Sequence, residues 1–263
     1  MCNTCGCNVT AGNAHLLDRA PGGAVDVLKG LLHANDEQAG HNRAHFDEHG
    51  VLAINLMSSP GSGKTSLLEA TIDALRDEFR MAVIEGDLET ENDARRIRAK
   101  GVPAVQITTG TACHLDAHLV HSALHELPLA GLDIVFIENV GNLVCPASFD
   151  LGQHYNVVLL AVTEGDDKPA KYPVMFRAAD LVLVTKTDLV DALGDDFSLA
   201  RARDAMQALG RDTLVRTVHA RRDAWIGPWT DWLRQVIEMH RVTLRPAPMA
   251  RPLAPPHRAS LGS

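Results

Sequence analysis

The sequence predicts an α/β fold, a mostly parallel sheet of about seven strands flanked by helices. Three observations carry that expectation. Short apolar runs of strand length alternate with stretches whose apolar residues recur every three or four positions. One glycine-rich turn, Ser58-Ser-Pro-Gly-Ser-Gly-Lys-Thr65, stands between the first apolar run and the first helical pattern. Two other runs end in acidic residues, Glu85-Gly-Asp87 and Glu138, as parallel strands do where they meet a ligand.

The first run is Val51 to Met57. Leu68, Ile72, Leu75 and Phe79 then fall on one helical face. Strand, tight turn, helix is the context of a phosphate-binding loop, so the chain reads as a P-loop NTPase. Backbone N–H groups of such a turn wrap a phosphate, and the positive end of the helix points at it. Pro60, Gly61, Ser62, Gly63, Lys64, Thr65 and Ser66 are therefore nucleotide-binding candidates. Lys64 would reach the β- and γ-phosphates, and the Thr65 hydroxyl would ligate Mg²⁺. Ser58 stands where the pattern G-x-x-x-x-G-K-[ST] has its first glycine.

Met81-Ala-Val-Ile84 is the second strand and ends at Glu85-Gly-Asp87, with Asp87 a candidate for Mg²⁺ or for the attacking water. Glu89-Thr-Glu-Asn-Asp93 starts a helix that Gly101 stops, and Ala104 to Thr108 is the third strand. Gly110-Thr-Ala-Cys-His-Leu-Asp116 is expected to open the next helix, with Leu115, Leu119, Ala123 and Leu127 inward. His118, His121 and His125 fall on its opposite stripe and read as a solvated face. Cys113 and His114 are adjacent, and neighbours on a helix diverge by about 100°. Both can bind one ion only at the helix mouth or between chains.

Leu132 to Glu138 is the fourth strand, and Glu138 would face the Mg²⁺–phosphate region. Gly141 gives the following turn freedom to move when the γ-phosphate leaves. Cys145 lies near that turn in sequence and reads as an ion ligand or as a small buried hydrophobe. Asn156 to Val162 is the fifth strand, followed by a polar, proline-restricted loop from Thr163 to Pro173. Leu181 to Val184 is the sixth and leads into Thr185-Lys-Thr-Asp188. A carboxylate accepts two hydrogen bonds from guanine N1 and N2, so Asp188 selects GTP, with the Lys186 stem packed on the base. Leu199 to Leu209 is a helix and Leu214 to Val218 the last strand, after which Ala220 offers backbone to the base. Trp225, Trp229 and Trp232 read as core anchors of a closing helix.

With 263 residues, 46% hydrophobic and 22% charged, the chain has room for one such domain plus tails. A net charge of −8 with no Lys/Arg block argues against nucleic acid and anionic membranes as partners. No apolar run approaches a membrane span and no signal core opens the chain, so a cytoplasmic protein with reduced thiols is expected. Residues 31–243 read as the nucleotide-binding domain. The Pro-rich stretch 244–263 reads as a disordered tail. Residues 8–30 read as a tether behind the opening Met1-Cys-Asn-Thr-Cys-Gly-Cys7. The thiols Cys2, Cys5 and Cys7, with the α-amine left when Met1 is removed, make a four-donor set for Ni²⁺ (square planar) or Zn²⁺ (tetrahedral). His33, His41, His45 and His49 follow, the last three at helical spacing, and read as a solvated helix entering the domain.

Taken together, these stretches resemble the HypB family, the nickel-inserting GTPases of hydrogenase maturation. The resemblance rests on Cys2-x-x-Cys5-Gly-Cys7, Ser59 to Thr65, Glu85-Gly-Asp87, Asn92-Asp-Ala94 and Cys113-His-Leu-Asp-Ala117. It rests further on Glu138-Asn-Val-Gly-Asn-Leu-Val-Cys-Pro146, Thr163-Glu-Gly-Asp166, Lys168-Pro169, Lys171-Tyr-Pro173 and Lys186-Thr-Asp188. It implies a SIMIBI-class G domain that binds GTP and GDP with Mg²⁺ and forms a nucleotide- or metal-dependent homodimer. It implies transfer of Ni²⁺, with a HypA-like accessory protein, toward the hydrogenase large subunit. It also implies that Cys113, His114 and Cys145 form a Ni²⁺ or Zn²⁺ site. Lys168 or Lys171 would act near the phosphates across the dimer. Thr185 stands where the family usually has Asn, and His219-Ala220 where Ser-Ala is usual. The catalytic set is then Lys64, Asp87 and Glu138. Two other readings are a nucleotide-gated nickel or zinc store and a urease-type nickel GTPase.

Overall fold

Every residue of β1 (Leu52–Ser58) is buried, because the strand lies at the centre of the sheet with helices on both faces. The computed structural model describes residues 23–87, 91–110, 112–210, 212–220 and 224–244. Before β1 runs α1 (Gly23–His49), and after it α2 (Lys64–Leu75). There follow β2 (Met81–Asp87), α3 (Asn92–Ala99), β3 (Ala104–Thr108), α4 (Ala117–Leu124) and β4 (Ile134–Glu138). The second half is β5 (Tyr155–Ala161), α5 (Lys168–Lys171), α6 (Pro173–Ala178), β6 (Leu181–Thr185), α7 (Val190–Leu193), α8 (Leu199–Gln207), β7 (Leu214–Thr217) and α9 (Gly227–Leu244).

The strand order is β3-β2-β4-β1-β5-β6-β7, and every pairing is parallel. After β1 the chain moves to one side of the sheet through β2, β3 and β4, and β5 then returns to the other flank of β1. The loop after β1 therefore sits at the switch point, where a doubly wound sheet binds its ligand.

On one face Leu68, Ile72 and Leu75 of α2 and Trp229, Leu233 and Ile237 of α9 pack over Ile54, Val83 and Phe136. Trp229 is fully buried and its indole N–H donates to Thr71 Oγ1 at 2.8 Å. On the other face Phe46 of α1 and Val120 and Leu124 of α4 cover Ala53, Ile84 and Val135. No helix among the described residues is long and apolar enough to cross a membrane.

The structure corrects four expectations of local structure. Residues 23–30, read as tether, are the opening of α1. The histidine-bearing part of α1 is solvated on one side only: His33, His41 and His49 are exposed as expected, but Asn35, Ala39, Asn42 and Phe46 are buried where α1 packs on α4. The helix after Gly110 starts only at Ala117, where the Asp116 side chain caps it by accepting from Leu119 N at 2.8 Å. Cys113 and His114 thus precede the helix. Trp225 precedes α9, is 47% exposed and stacks on His219, so of the three tryptophans it is not a core anchor.

Candidate nucleotide and metal sites

The phosphate-loop residues form the floor of a cleft at the C-terminal ends of β1, β2 and β4, lined by Pro60, Gly61, Gly63, Lys64, Thr65 and Ser66. Gly61 (φ 73°) and Gly63 (φ 100°) are left-handed, a conformation that side chains resist, which is why this turn is glycine-rich. Gly63 caps α2 without a side-chain hydrogen bond, so the first-turn N–H groups are left for an anion. Ser58, in the glycine position of the pattern, braces the lysine. Its Oγ accepts from Lys64 Nζ at 3.1 Å and donates to Ser59 O at 2.7 Å.

Two residues outside the motif hold the loop. The Glu164 carboxylate accepts from Ser59 Oγ at 2.6 Å and from Ser62 Oγ at 2.5 Å. Thr185 Oγ1 donates to the Ser62 carbonyl at 2.7 Å. Thr185 therefore ties the base-side loop to the phosphate loop, although it stands where Asn was expected. Lys186 follows at φ 57°, the only non-glycine residue among those described with positive φ. Such strain persists where the surroundings fix it and clusters at ligand sites. Thr187 Oγ1 donates to Val218 O at 3.1 Å, bringing the loops after β6 and β7 together, with Asp188 exposed and Ala220 half-buried beside them.

The cleft's acidic wall follows from strand register. β2 and β4 pair with Glu85 opposite Glu138. Both are buried, and with Asp93 they bring carboxylate oxygens within 4.8 Å of one another. Burial, then the Glu138 charge, pushes Glu85 well above the usual carboxylate range. Burial also raises Glu138, against the pull of Lys64 (Nζ to Oε1 4.0 Å), Glu85 and Thr65, whose hydroxyl donates to Glu138 Oε1 at 3.0 Å. Glu85 Oε2 and Glu138 Oε2 are buried without hydrogen-bond partners. Orphaned acid oxygens beside a hydroxyl are what a hard divalent cation such as Mg²⁺ takes as ligands. Asp87 lines the cleft but lies outside this tight group. Glu85 and Asp93 lay in marked stretches, Glu85-Gly-Asp87 and Asn92-Asp-Ala94, but were not expected as ligands, because only strand register and helix packing bring them to Glu138. Glu164 and Thr185 lay in the motif stretches without a role.

A second constellation adjoins the first. Cys113 Sγ lies 2.9 Å from Cys145 Sγ and 3.8 Å from His114 Nδ1, and all three donors fall within 4.8 Å of one another in one chain. Cys113 and His114 lie just ahead of the α4 N-cap, at the helix mouth, where the loop conformation lets adjacent residues converge, so no second chain is needed to bring the three donors together. His114 is buried and stacks on Phe149 at 3.9 Å between centroids. Burial lowers its pKa, leaving a neutral ring able to ligate. Cys145, one of whose readings was a core hydrophobe, is buried yet faces these donors. Thiolate and imidazole suit Zn²⁺ and Ni²⁺, and three protein donors leave a fourth position open.

The two constellations touch through one segment. Asn142 Nδ2 donates to Cys113 O at 3.2 Å. Gly141 lies so close to the phosphate loop that a Cβ there would meet Pro60 Cα at 2.8 Å and Pro60 N at 2.9 Å. The glycine is thus needed for close approach of the two segments.

The expected trans lysines do not line the cleft of their own chain. Lys168 lies over the Tyr172 ring, 5.5 Å from its centroid, and Lys171 pairs with Asp167. Cys2, Cys5 and Cys7 lie outside the described residues.

Residues 52–211 match the family model described as the CobW/HypB/UreG nucleotide-binding domain. The chain belongs to the CobW/HypB/UreG family, on its HypB branch. It is 48% identical over 236 residues to the hydrogenase maturation factor HypB of Azotobacter chroococcum mcd 1, covering 88% of this chain and 76% of that one. It is 50% identical over 190 residues to the hydrogenase/urease maturation factor HypB of Helicobacter hepaticus, covering 71% and 77%. The crystal structure of HypB from Helicobacter pylori in complex with nickel superposes with a TM-score of 0.74 at 40% identity, covering 82% of this chain and 99% of that one. The seven-stranded parallel sheet and the switch-point loop are thus those of a HypB-type P-loop domain.

Proposed function

We propose that this protein is a GTP-hydrolysing nickel metallochaperone that helps insert Ni²⁺ into the large subunit of a [NiFe]-hydrogenase. The observation that carries the reading is the contact between the phosphate loop and the metal-donor cluster, made through Gly141 and Asn142. The hydrogenase maturation factors it resembles, one of them solved with nickel, support the cargo.

Lys64 and the α2 N-terminus bind the β- and γ-phosphates. Thr65, with Glu138 and Glu85 behind it and Asp87 at the rim, would hold Mg²⁺. Bound there, Mg²⁺ supplies neutralisation of phosphate charge, which with positioning is most of what phosphoryl transfer requires. Lys186 and Asp188 hold the guanine, with Ala220 alongside. No side chain in the cleft is an evident general base, so turnover in the single chain is slow. Pairing of two chains around GTP brings Lys168 or Lys171 to the partner's phosphates. Loss of the γ-phosphate relaxes the segment at Gly141 and shifts Cys145 against Cys113 and His114, loosening Ni²⁺. The thiols Cys2, Cys5 and Cys7 form a separate nickel site ahead of the domain, and a HypA-like protein takes the ion onward.

The reading is tested by nickel release from loaded protein with GTP, GDP and a non-hydrolysable analogue. Faster release on hydrolysis is expected; equal rates in all three remove the coupling.

A further inference from the structure

The histidines of α1 and α4 converge where the two helices cross. His45 lies 5.7 Å from His121 and 6.2 Å from His125 between ring centroids, and His121 and His125 are 4.7 Å apart. The His121 and His125 Nε2 atoms approach to 3.3 Å.

The hydrogen bonds behind His121 decide which of its nitrogens is the donor. Buried Asn42 gives its two amide hydrogens to the carbonyls of Ala117, at 2.8 Å, and Leu151, at 3.0 Å. Its Oδ1 can then only accept, so the contact from His121 Nδ1 at 3.0 Å is an N–H donated to it. The His121 lone pair is therefore on Nε2, aimed at His125. A metal-binding imidazole is held in this way, its other nitrogen donating to a fixed carbonyl.

We propose that His121 and His125, completed by His45, form an imidazole site for a borderline divalent ion of the Ni²⁺ and Zn²⁺ class, distinct from the thiol sites. At ligand bonds of about 2.05 Å, two nitrogens 3.3 Å apart subtend roughly 107° at an ion, close to the tetrahedral angle. Imidazole is the ligand type these ions share. Without an ion, His125 Nε2–H donates to His121 Nε2. His125 is exposed, so its proton moves to Nδ1 with little cost and frees the second lone pair. The His45 ring, half-buried with its centroid 5.7 Å from that of His121, stands outside the tight pair and would turn inward to supply a third nitrogen. The site lies along the helix whose cap, Asp116, follows Cys113 and His114. It goes beyond the GTPase reading and stands or falls separately from it.

The test is equilibrium dialysis of the full chain against Ni²⁺, with metal analysis and thiolate-to-nickel absorbance read on the same samples. His125→Gln, at an exposed position, keeps the fold; His121→Gln/His125→Gln removes both convergent nitrogens. Both variants are expected to bind one Ni²⁺ fewer per chain than the natural protein, with the thiolate band unchanged. His118→Gln, also exposed on α4, is expected to keep the full number. Equal nickel content in the natural protein and the double variant overturns the proposal. So does a loss of nickel that takes the thiolate band with it.

Discussion

Gly141 has main chain of the phosphate loop where a side chain would have to go, with Pro60 Cα 2.8 Å from the site of its missing Cβ. Backbone on both sides cannot yield by a rotamer change, so Gly141→Ala must move one loop against the other. Displacement of catalytic groups by about 1 Å costs on the order of 10²-fold in rate. GTP hydrolysis by Gly141→Ala should fall by about that factor, in a protein with unchanged circular dichroism. Nickel affinity at Cys113, His114 and Cys145 should change with it; unaltered affinity would show that the contact transmits nothing. Thr185 is a second such position. Thr185→Val keeps the shape but leaves the Ser62 carbonyl without its 2.7 Å partner. A buried acceptor left unsatisfied costs about 1–3 kcal/mol, and about 1.4 kcal/mol is tenfold in affinity. The Kd for GTP, measured by fluorescent-analogue competition, should rise about tenfold.

At the scale of elements, α9 is anchored at both ends. Near its start Trp229 reaches Thr71 of α2; near its end His240 packs on His154 with ring centroids 4.3 Å apart. His154 Nδ1 accepts from Ala53 N at 2.9 Å, so its Nε2 carries the proton and donates to Asp47 Oδ1 of α1 at 3.0 Å. The three donors are close enough to suggest a metal, but that hydrogen bond occupies the nitrogen an ion would need. The pair instead makes a pH-sensitive joint. Burial lowers the pKa of His154, against Asp47, and burial then the His154 charge lowers that of His240. In the unfolded chain both take up protons near the ordinary value of about 6.5. The folded state takes them up only at lower pH, so acid favours unfolding across that window. Glu85 and Glu138, raised by burial, pull the other way, so the joint is read by comparison: below about pH 6.5 the Tm of the natural protein should fall more steeply than that of His240→Gln. Parallel Tm curves for the two down to about pH 5.5 would mean the joint opens at no cost.

At the scale of the whole molecule, the proposed hydrolysis and metal holding would use different residues joined by one strap. Lys64 is buried between Ser58 and Glu138, and neither contact involves Cys113 or Cys145. Lys64→Ala should abolish GTP hydrolysis while the thiol sites, Cys2, Cys5 and Cys7 included, keep their nickel, as read by thiolate absorbance. Nickel lost from those N-terminal thiols in the variant would contradict the separation of the two functions.

What the residues settled alone is whatever lies within one turn, strand or helix. The left-handed glycines of the phosphate loop, the seven apolar runs and the Lys186-Thr-Asp188 segment after β6 are legible because their geometry is local. What needed the tertiary structure is every pairing between distant segments. Register alone sets Glu85 beside Glu138; loop packing alone brings Cys113 to Cys145; the crossing of α1 on α4 alone turns His121 from a solvated stripe into a bonded partner of Asn42. The reason is physical: periodicity and turn chemistry act over a few residues, whereas which side chains meet is decided by how sheet order and helix burial close the whole chain on itself.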